Sequence, residues 1–139
     1  AALTIMGQAQ NREAAVLAPI AHAMTDVTGF GLAGHVKTIC EASGLDAELW
    51  QATIPIYAGA QALSDAGVAS ILMPMNRKDA PIQGGADALL YDPQTAGGLL
   101  AAVPVEQSVV VIDALRALGC RGHVIGRLTK GNGQVGLIR

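Results

Sequence analysis

Charged residues are scarce in this 139-residue chain. Asp, Glu, Lys and Arg together make 14%, where about a quarter is typical of a soluble domain. The deficit leaves more apolar surface than one small core absorbs, so another domain or subunit is expected to cover part of it. Net charge is −2 and the basic residues are scattered, which counts against nucleic-acid binding through a basic face. Aromatic residues make 3%, too few to build platforms on which single-stranded bases stack. No apolar run approaches the roughly 18 residues of a membrane span. Residues 1–7 lack a basic stretch followed by an apolar core, so they do not read as a secretory leader. The two cysteines, Cys40 and Cys120, stand far apart with no CxxC spacing. They read as thiols of a reduced, cytoplasmic protein.

What the chain does have is apolar residues, 51% of the total, in a length that suits a single domain with a sizeable core. It opens in mid-pattern, with neither Met nor a helix cap. Residues 1–10 read as a tail or the end of a helix begun earlier, and the whole as a piece of something longer. Asn11 is a candidate N-cap for a short helix that Pro19 ends or kinks. His22 has no second ligand at metal-like spacing and reads as a boundary histidine.

Periodicity is clearest over residues 30–42. Leu32, Ala33, Val36, Ile39 and Cys40 share one arc of a helix, with His35 packed at its edge and Cys40 an inert core thiol. Ser43-Gly44 closes that helix. Residues 45–50 alternate like a half-exposed strand. Residues 54–57 read as extended, and 58–66 as a short helix closed by Gly67. Residues 70–76 read as irregular, 78–85 as loop, 86–91 as a strand, and 99–103 as a buried strand, apolar on both faces. A second helix is expected over 105–118, with Val105, Val109, Val111, Ile112, Leu115 and Leu118 as its apolar arc and Gly119 as its stop. Two last strands, 123–128 and 134–138, are expected to form a hairpin around Gly131-Asn132-Gly133. No internal repeat breaks the pattern. Alternating helices and strands predict an α+β fold, layered α/β/α, with a mixed sheet flanked by helices.

Two stretches carry chemistry. In MTDVTGFGLAGH (residues 24–35), Asp26 offers oxygen to a hard cation, Thr25 and Thr28 offer hydroxyls, and Gly29 and Gly31 let the main chain approach a ligand. The helix that follows presents unpaired N–H groups and a positive dipole end, which suits phosphate. The same residues also fit a glycine-rich lead into a helix that Asp26 or Thr28 merely caps. In DPQTAGGLL (residues 92–100), a carboxylate, Thr95 and the Gly97-Gly98 pair repeat that chemistry. There the plain alternative is a tight turn between strands, with Asp92 a turn former; Gln94 is a candidate for a polar contact with the ligand.

Together, AMTDVTGFGLAGH and YDPQTAGGLL resemble selenophosphate synthetase, also called selenide, water dikinase. The order of IPIYAGA, SILMPMN and HVIGRL fits the same family, over essentially the whole chain. The resemblance is to the family's C-terminal domain, of the type shared with aminoimidazole ribonucleotide synthetase. One departure is Ala96, where the family usually has Ser.

The resemblance implies a mixed sheet flanked by helices and a reaction that turns ATP, selenide and water into selenophosphate, AMP and phosphate. It implies Mg2+ and ATP as cofactors and Asp26 as a metal ligand. Thr25, Thr28, Gly29, Gly31, Thr95, Gly97 and Gly98 would line the nucleotide side, and Asn76 sits at a recurrent position. It places no catalytic residue on this chain. The other metal-binding aspartates, a lysine and the reactive Cys or selenocysteine belong to an N-terminal domain of the same polypeptide, so residues 1–139 alone are expected to be inactive. A homodimer is implied as well. Two other readings stand beside this one: a scaffold or dimerisation domain of the same fold, and the C-terminal domain of a relative such as aminoimidazole ribonucleotide synthetase or thiamine-monophosphate kinase.

Overall fold

The computed structural model describes residues 11–139; the tail or helix end expected over 1–10 lies outside them. In chain order the elements are α1 (Asn11–Leu17), β1 (Ala23–Asp26), α2 (Gly31–Ser43), β2 (Leu45–Trp50), α3 (Ala60–Asp65), α4 (Met73–Asp79), β3 (Leu99–Ala102), α5 (Ser108–Ala117), β4 (Gly126–Lys130) and β5 (Val135–Ile138). Short 3-10 turns occupy Gln51–Thr53, Ala88–Tyr91 and Val105–Gln107. Among the described residues no helix is long and apolar enough to cross a membrane.

The strands form two sheets. β1 and β3 make an antiparallel ribbon, and β2 is the centre of a mixed sheet in the order β4-β2-β5. Side-chain alternation along β3 places the ribbon between two cores. Leu99 and Ala101 pack on Leu17, Val111 and Leu115 of α1 and α5. Leu100 packs with the larger cluster, where Ala33, Val36 and Cys40 of α2 meet Ala47 and Leu49 of β2 and Val135 of β5. This is the α+β layering that the alternation of elements predicts.

α2 follows its periodicity, with Ala33, Val36 and Cys40 buried, and Gly44 ends it in the left-handed conformation. β2 also matches, burying Ala47 and Leu49 alternately.

Other expectations are corrected. Residues 70–85 are not all irregular. α4 starts at Met73 with Pro74 in its first turn, where the missing N–H of proline costs nothing. Residues 86–91 form no strand, because Asp87 caps a 3-10 turn by accepting from the Leu89 amide at 2.9 Å. β3 is half-buried throughout rather than fully buried. The second helix splits at Ser108, and its apolar stripe is narrow: Val111 and Leu115 are buried, while Val105, Val109 and Leu118 are exposed.

The last two strands do not pair with each other. β4 runs antiparallel to β2 on one side and β5 parallel to it on the other. The glycine-rich tip crosses the start of β2 instead of closing a hairpin. Gly131 donates to the Gly44 carbonyl and Gly133 to that of Leu45. Asp46 Oδ1 accepts from the amides of Asn132 (2.7 Å) and Gln134 (2.8 Å). A Cβ on Gly131 would collide with the Asp46 carboxyl.

Replacing Leu49, which is 3% exposed, by Ala is expected to cost about 2–5 kcal/mol in equilibrium unfolding. The amides of Gln134 and Asn132 hold the Asp46 carboxyl below its ordinary range. A depressed folded value contributes stability that is present above the unfolded value and lost as pH falls through the folded one. Asp46→Asn is therefore expected to shrink the loss of unfolding free energy between about pH 5 and pH 2 in acid-denaturation series.

Candidate functional site

β1 pairs with β3 in a register that sets Asp26 opposite Leu99 and Thr25 opposite Leu100. The turn that leaves β1 and the turn that enters β3 therefore meet at one end of the ribbon. Three main-chain hydrogen bonds join them: Val27 N–H to Gly98 O (3.0 Å), Gly97 N–H to Val27 O (3.1 Å) and Gln94 N–H to Thr28 O (3.0 Å). The two chemical stretches, some 70 residues apart in sequence, are thus one surface.

The four glycines divide by what surrounds them. A Cβ on Gly97 would collide with the Val27 carbonyl, so the loops close only around a bare Cα. Gly31 has φ +69°, and a Cβ there would lie 2.8 Å from the carbonyl carbon of Tyr91. It serves the packing of α2 on the 3-10 turn. Gly29 and Gly98 are exposed, and a Cβ on either would meet nothing within 4 Å. Packing within the described chain does not require glycine at those two positions. Their missing side chains leave open main chain beside Asp26.

Asp26 is exposed at the end of β1. Thr25 lies on the half-buried face of the ribbon, and its hydroxyl donates to the Asp26 main-chain carbonyl at 3.0 Å rather than to the carboxylate. Thr28 is half-buried and Thr95 exposed. Neither Asp26 nor Thr28 caps α2 with its side chain: the N-cap is Phe30, which makes no side-chain cap. Thr28 acts through its carbonyl, which accepts from Gly31 at 3.1 Å.

His35, one turn into α2, accepts the Thr28 amide on Nε2 at 3.0 Å, with the Thr28 hydroxyl 3.3 Å from the same nitrogen. An accepting Nε2 requires the neutral ring with its proton on Nδ1. The ring also packs against Phe30, with centroids 5.7 Å apart. His35 is a packed, loop-holding residue, as its place at the edge of the apolar arc suggests.

Two residues matter here more than sequence reasoning alone indicates. Asn76 of α4 is buried, and its Nδ2 donates to the carbonyls of Gly29 and Tyr91, each at 2.9 Å. Ser70 donates its amide to Asp92 Oδ1 at 3.3 Å, so Asp92 ties the second loop to the segment before α4. The SILMPMN string marks this region, but its spacing gives no sign of contacts 47 residues apart.

Neither thiol is activated. Burial raises Cys40, and the Asp46 charge raises it further. Cys120 is raised as well, first by desolvation. Among the described residues no three His, Cys, Asp or Glu side chains gather as a metal cage. A lone exposed carboxylate is still a fitting ligand for Mg2+, which commonly takes one or two carboxylates and completes its shell with phosphate oxygens and water. A concavity of about 490 Å3 lies elsewhere, on the outer face of the mixed sheet between Asp46, Glu48, Arg127 and Gln134. It touches neither loop. Beside the loops, Phe30, Ile71, Leu72 and Met75 are exposed, Ile71 to 94%.

A sequence model described as AIR synthase related protein, C-terminal domain, matches residues 3–138. The selenide, water dikinase of Burkholderia ambifaria (strain MC40-6) is 40% identical over 136 residues, covering 90% of this chain and 38% of that protein. That of Cronobacter sakazakii (strain ATCC BAA-894) is 36% identical over 116 residues, covering 80% of this chain and 33% of its own. The chain thus spans about a third of the length of these curated relatives. In structure it is similar to crystalline E. coli HypE, a hydrogenase maturation protein, with a TM-score of 0.60 and 21% identity over 86% of this chain and 32% of that one. That likeness is one of fold.

The division among the glycines is testable. Gly97→Ala is expected to lower unfolding free energy by about 1–3 kcal/mol, because the added methyl parts the loops. Gly29→Ala and Gly98→Ala are expected to leave thermal unfolding within about 0.5 kcal/mol of the parent.

Proposed function

The chain belongs to the AIR synthase related protein, C-terminal domain, family, and on that premise we propose that it is the C-terminal domain of a selenide, water dikinase. The parent enzyme makes selenophosphate from selenide, ATP and water, releasing AMP and phosphate. The observation that carries this reading is the junction of Asp26 with two glycine turns beside the uncapped start of α2. Relatives of that name, one of them 40% identical, support it over other enzymes that use this domain.

In this reading Asp26 contributes one carboxylate oxygen to Mg2+. Bound Mg2+ neutralises phosphate charge and orients the transferring group. The open main chain at Gly29 and Gly98 lets phosphate oxygens approach backbone amides, and the α2 dipole favours negative charge there. Gly97 holds the two turns at their close spacing, Gly31 seats α2 on the 3-10 turn, Thr28 and Thr95 border the loops, and Thr25 braces the strand end behind Asp26. Positioning and charge neutralisation supply most of the catalysis in phosphoryl transfer. The reacting nucleophile, the lysine and the further metal-binding aspartates come from an N-terminal domain of the same polypeptide. Residues 1–139 alone make no selenophosphate. A homodimer and a cytoplasmic setting go with this reading.

A second reading has its own observation. The exposed Phe30, Ile71, Leu72 and Met75 suit a scaffold or dimerisation domain that keeps the fold without the chemistry. Asp26→Asn separates the two. In the full-length protein it is expected to reduce Mg2+-dependent selenophosphate formation on the order of 100-fold, with thermal unfolding unchanged. Full activity in that variant would favour the scaffold.

A further inference from the structure

Asn76 is a planar amide with two N–H donors, and both are spent on carbonyls from different parts of the chain. One goes to Gly29 in the first loop and the other to Tyr91, directly before Asp92 of the second. The residue is 7% exposed. It is fixed from behind as well: in α4 its amide donates to Leu72 O and its carbonyl accepts from Ala80. The Arg77 guanidinium lies over the Tyr91 ring, 5.1 Å from its centroid, and adds to the hold on the same turn.

The consequence lies in the peptide plane. The Gly29 carbonyl and the Phe30 N–H belong to one rigid trans unit and point in opposite directions. Drawing the Gly29 carbonyl inward to Asn76 turns the Phe30 N–H away from the buried side. That plane is three residues from Asp26, beside a glycine with open space around it. The preceding peptides are held by other partners: Val27 by Gly97 and Gly98, and Thr28 by Gln94 and His35. Asn76 is the side chain that holds the Gly29 carbonyl.

We infer that Asn76 is a positioning residue, whose side-chain amide staples the first glycine turn to the 3-10 turn that leads into the second and aims the Gly29–Phe30 peptide at the ligand side of Asp26. The inference rests on the Mg2+-phosphate reading of that surface. The residue type follows from the geometry. An Asp there would turn a carboxylate oxygen toward two carbonyls, and an Ala would leave both carbonyls without their donor.

The test uses the full-length protein and Mn2+ as a paramagnetic substitute for Mg2+. Binding in the presence of ATP is read by water-proton relaxation, and amide exchange of residues 27–31 by mass spectrometry. All measurements are made well below each variant's Tm. Asn76→Asp and Asn76→Ala are expected to weaken Mn2+ binding by about tenfold or more and to speed exchange over 27–31. Asn76→Ser, which keeps one donor, is expected to fall between them and the parent. Leu49→Ala is the control, since it lowers Tm from β2 without removing a hydrogen bond of either loop, and it is expected to leave both readouts at parental values.

Asn76 variants that bind Mn2+ within twofold of Leu49→Ala would overturn the staple. Asp26→Asn keeps the two questions apart. Parental Mn2+ binding in that variant would sink the metal reading itself, whereas lost binding there with parental binding in all three Asn76 variants would sink the staple alone.

Discussion

Pairing Asp26 with Leu99 across the β1–β3 ribbon leaves the chain little freedom in where it puts its glycine-rich turns. Antiparallel strands that end together must turn together. The turn leaving β1 and the turn entering β3 are therefore neighbours, and three main-chain hydrogen bonds knit them. The ribbon is itself held from both sides, by α1 and α5 through Leu99 and Ala101 and by the α2 cluster through Leu100. Apolar burial on two faces sets the register, because a one-residue slip would exchange those faces. The placement of one exposed carboxylate thus traces back to the alternating packing of Leu99, Leu100 and Ala101 along β3.

Much of this is visible in the residues. The 3.6-residue period of Leu32, Ala33, Val36 and Cys40 marks α2, and Gly44 marks its end. The repeated carboxylate, hydroxyl and glycine pattern marks both turns. What is not legible is long-range pairing. Gly131-Asn132-Gly133 carries a hairpin's local chemistry, yet the tip bonds to Gly44, Leu45 and Asp46 and sends β5 to the far side of β2. Nothing local distinguishes a turn that closes on its own arms from one that crosses a third strand. Pro74 misleads in the same way: proline breaks a helix interior but is welcome in a first turn, and Met73-Pro74-Met75 shows no period to decide between them.

Glycine carries two meanings in this site that the string of letters cannot separate. At Gly97 and Gly31 the missing Cβ is a packing requirement internal to the chain. At Gly29 and Gly98 it is not, since nothing within the described residues would meet the added atom. On the proposed reading, the bare main chain at those two positions is the room that phosphate oxygens would take. That distinction needs coordinates, because both kinds of glycine sit side by side in the second turn.

Around Asp26 the surface is bare at Gly29 and Gly98 and apolar at Phe30. One exposed carboxylate does not make a Mg2+ site, and no cage of three candidate ligands stands among the described residues. Exposed Phe30, Ile71, Leu72 and Met75 beside it would be an odd rim for an open phosphate-binding surface in water. The two features make sense together if the missing ligands arrive on a partner surface that covers the apolar side chains as it docks. On the proposed reading, water would then be excluded from the phosphate side, which would strengthen each polar contact. In this arrangement the rigidity of the two turns matters more than their number of groups. A half-site must be in place before its other half arrives, and the main-chain bonds between the turns, with Asn76 behind them, give it that order.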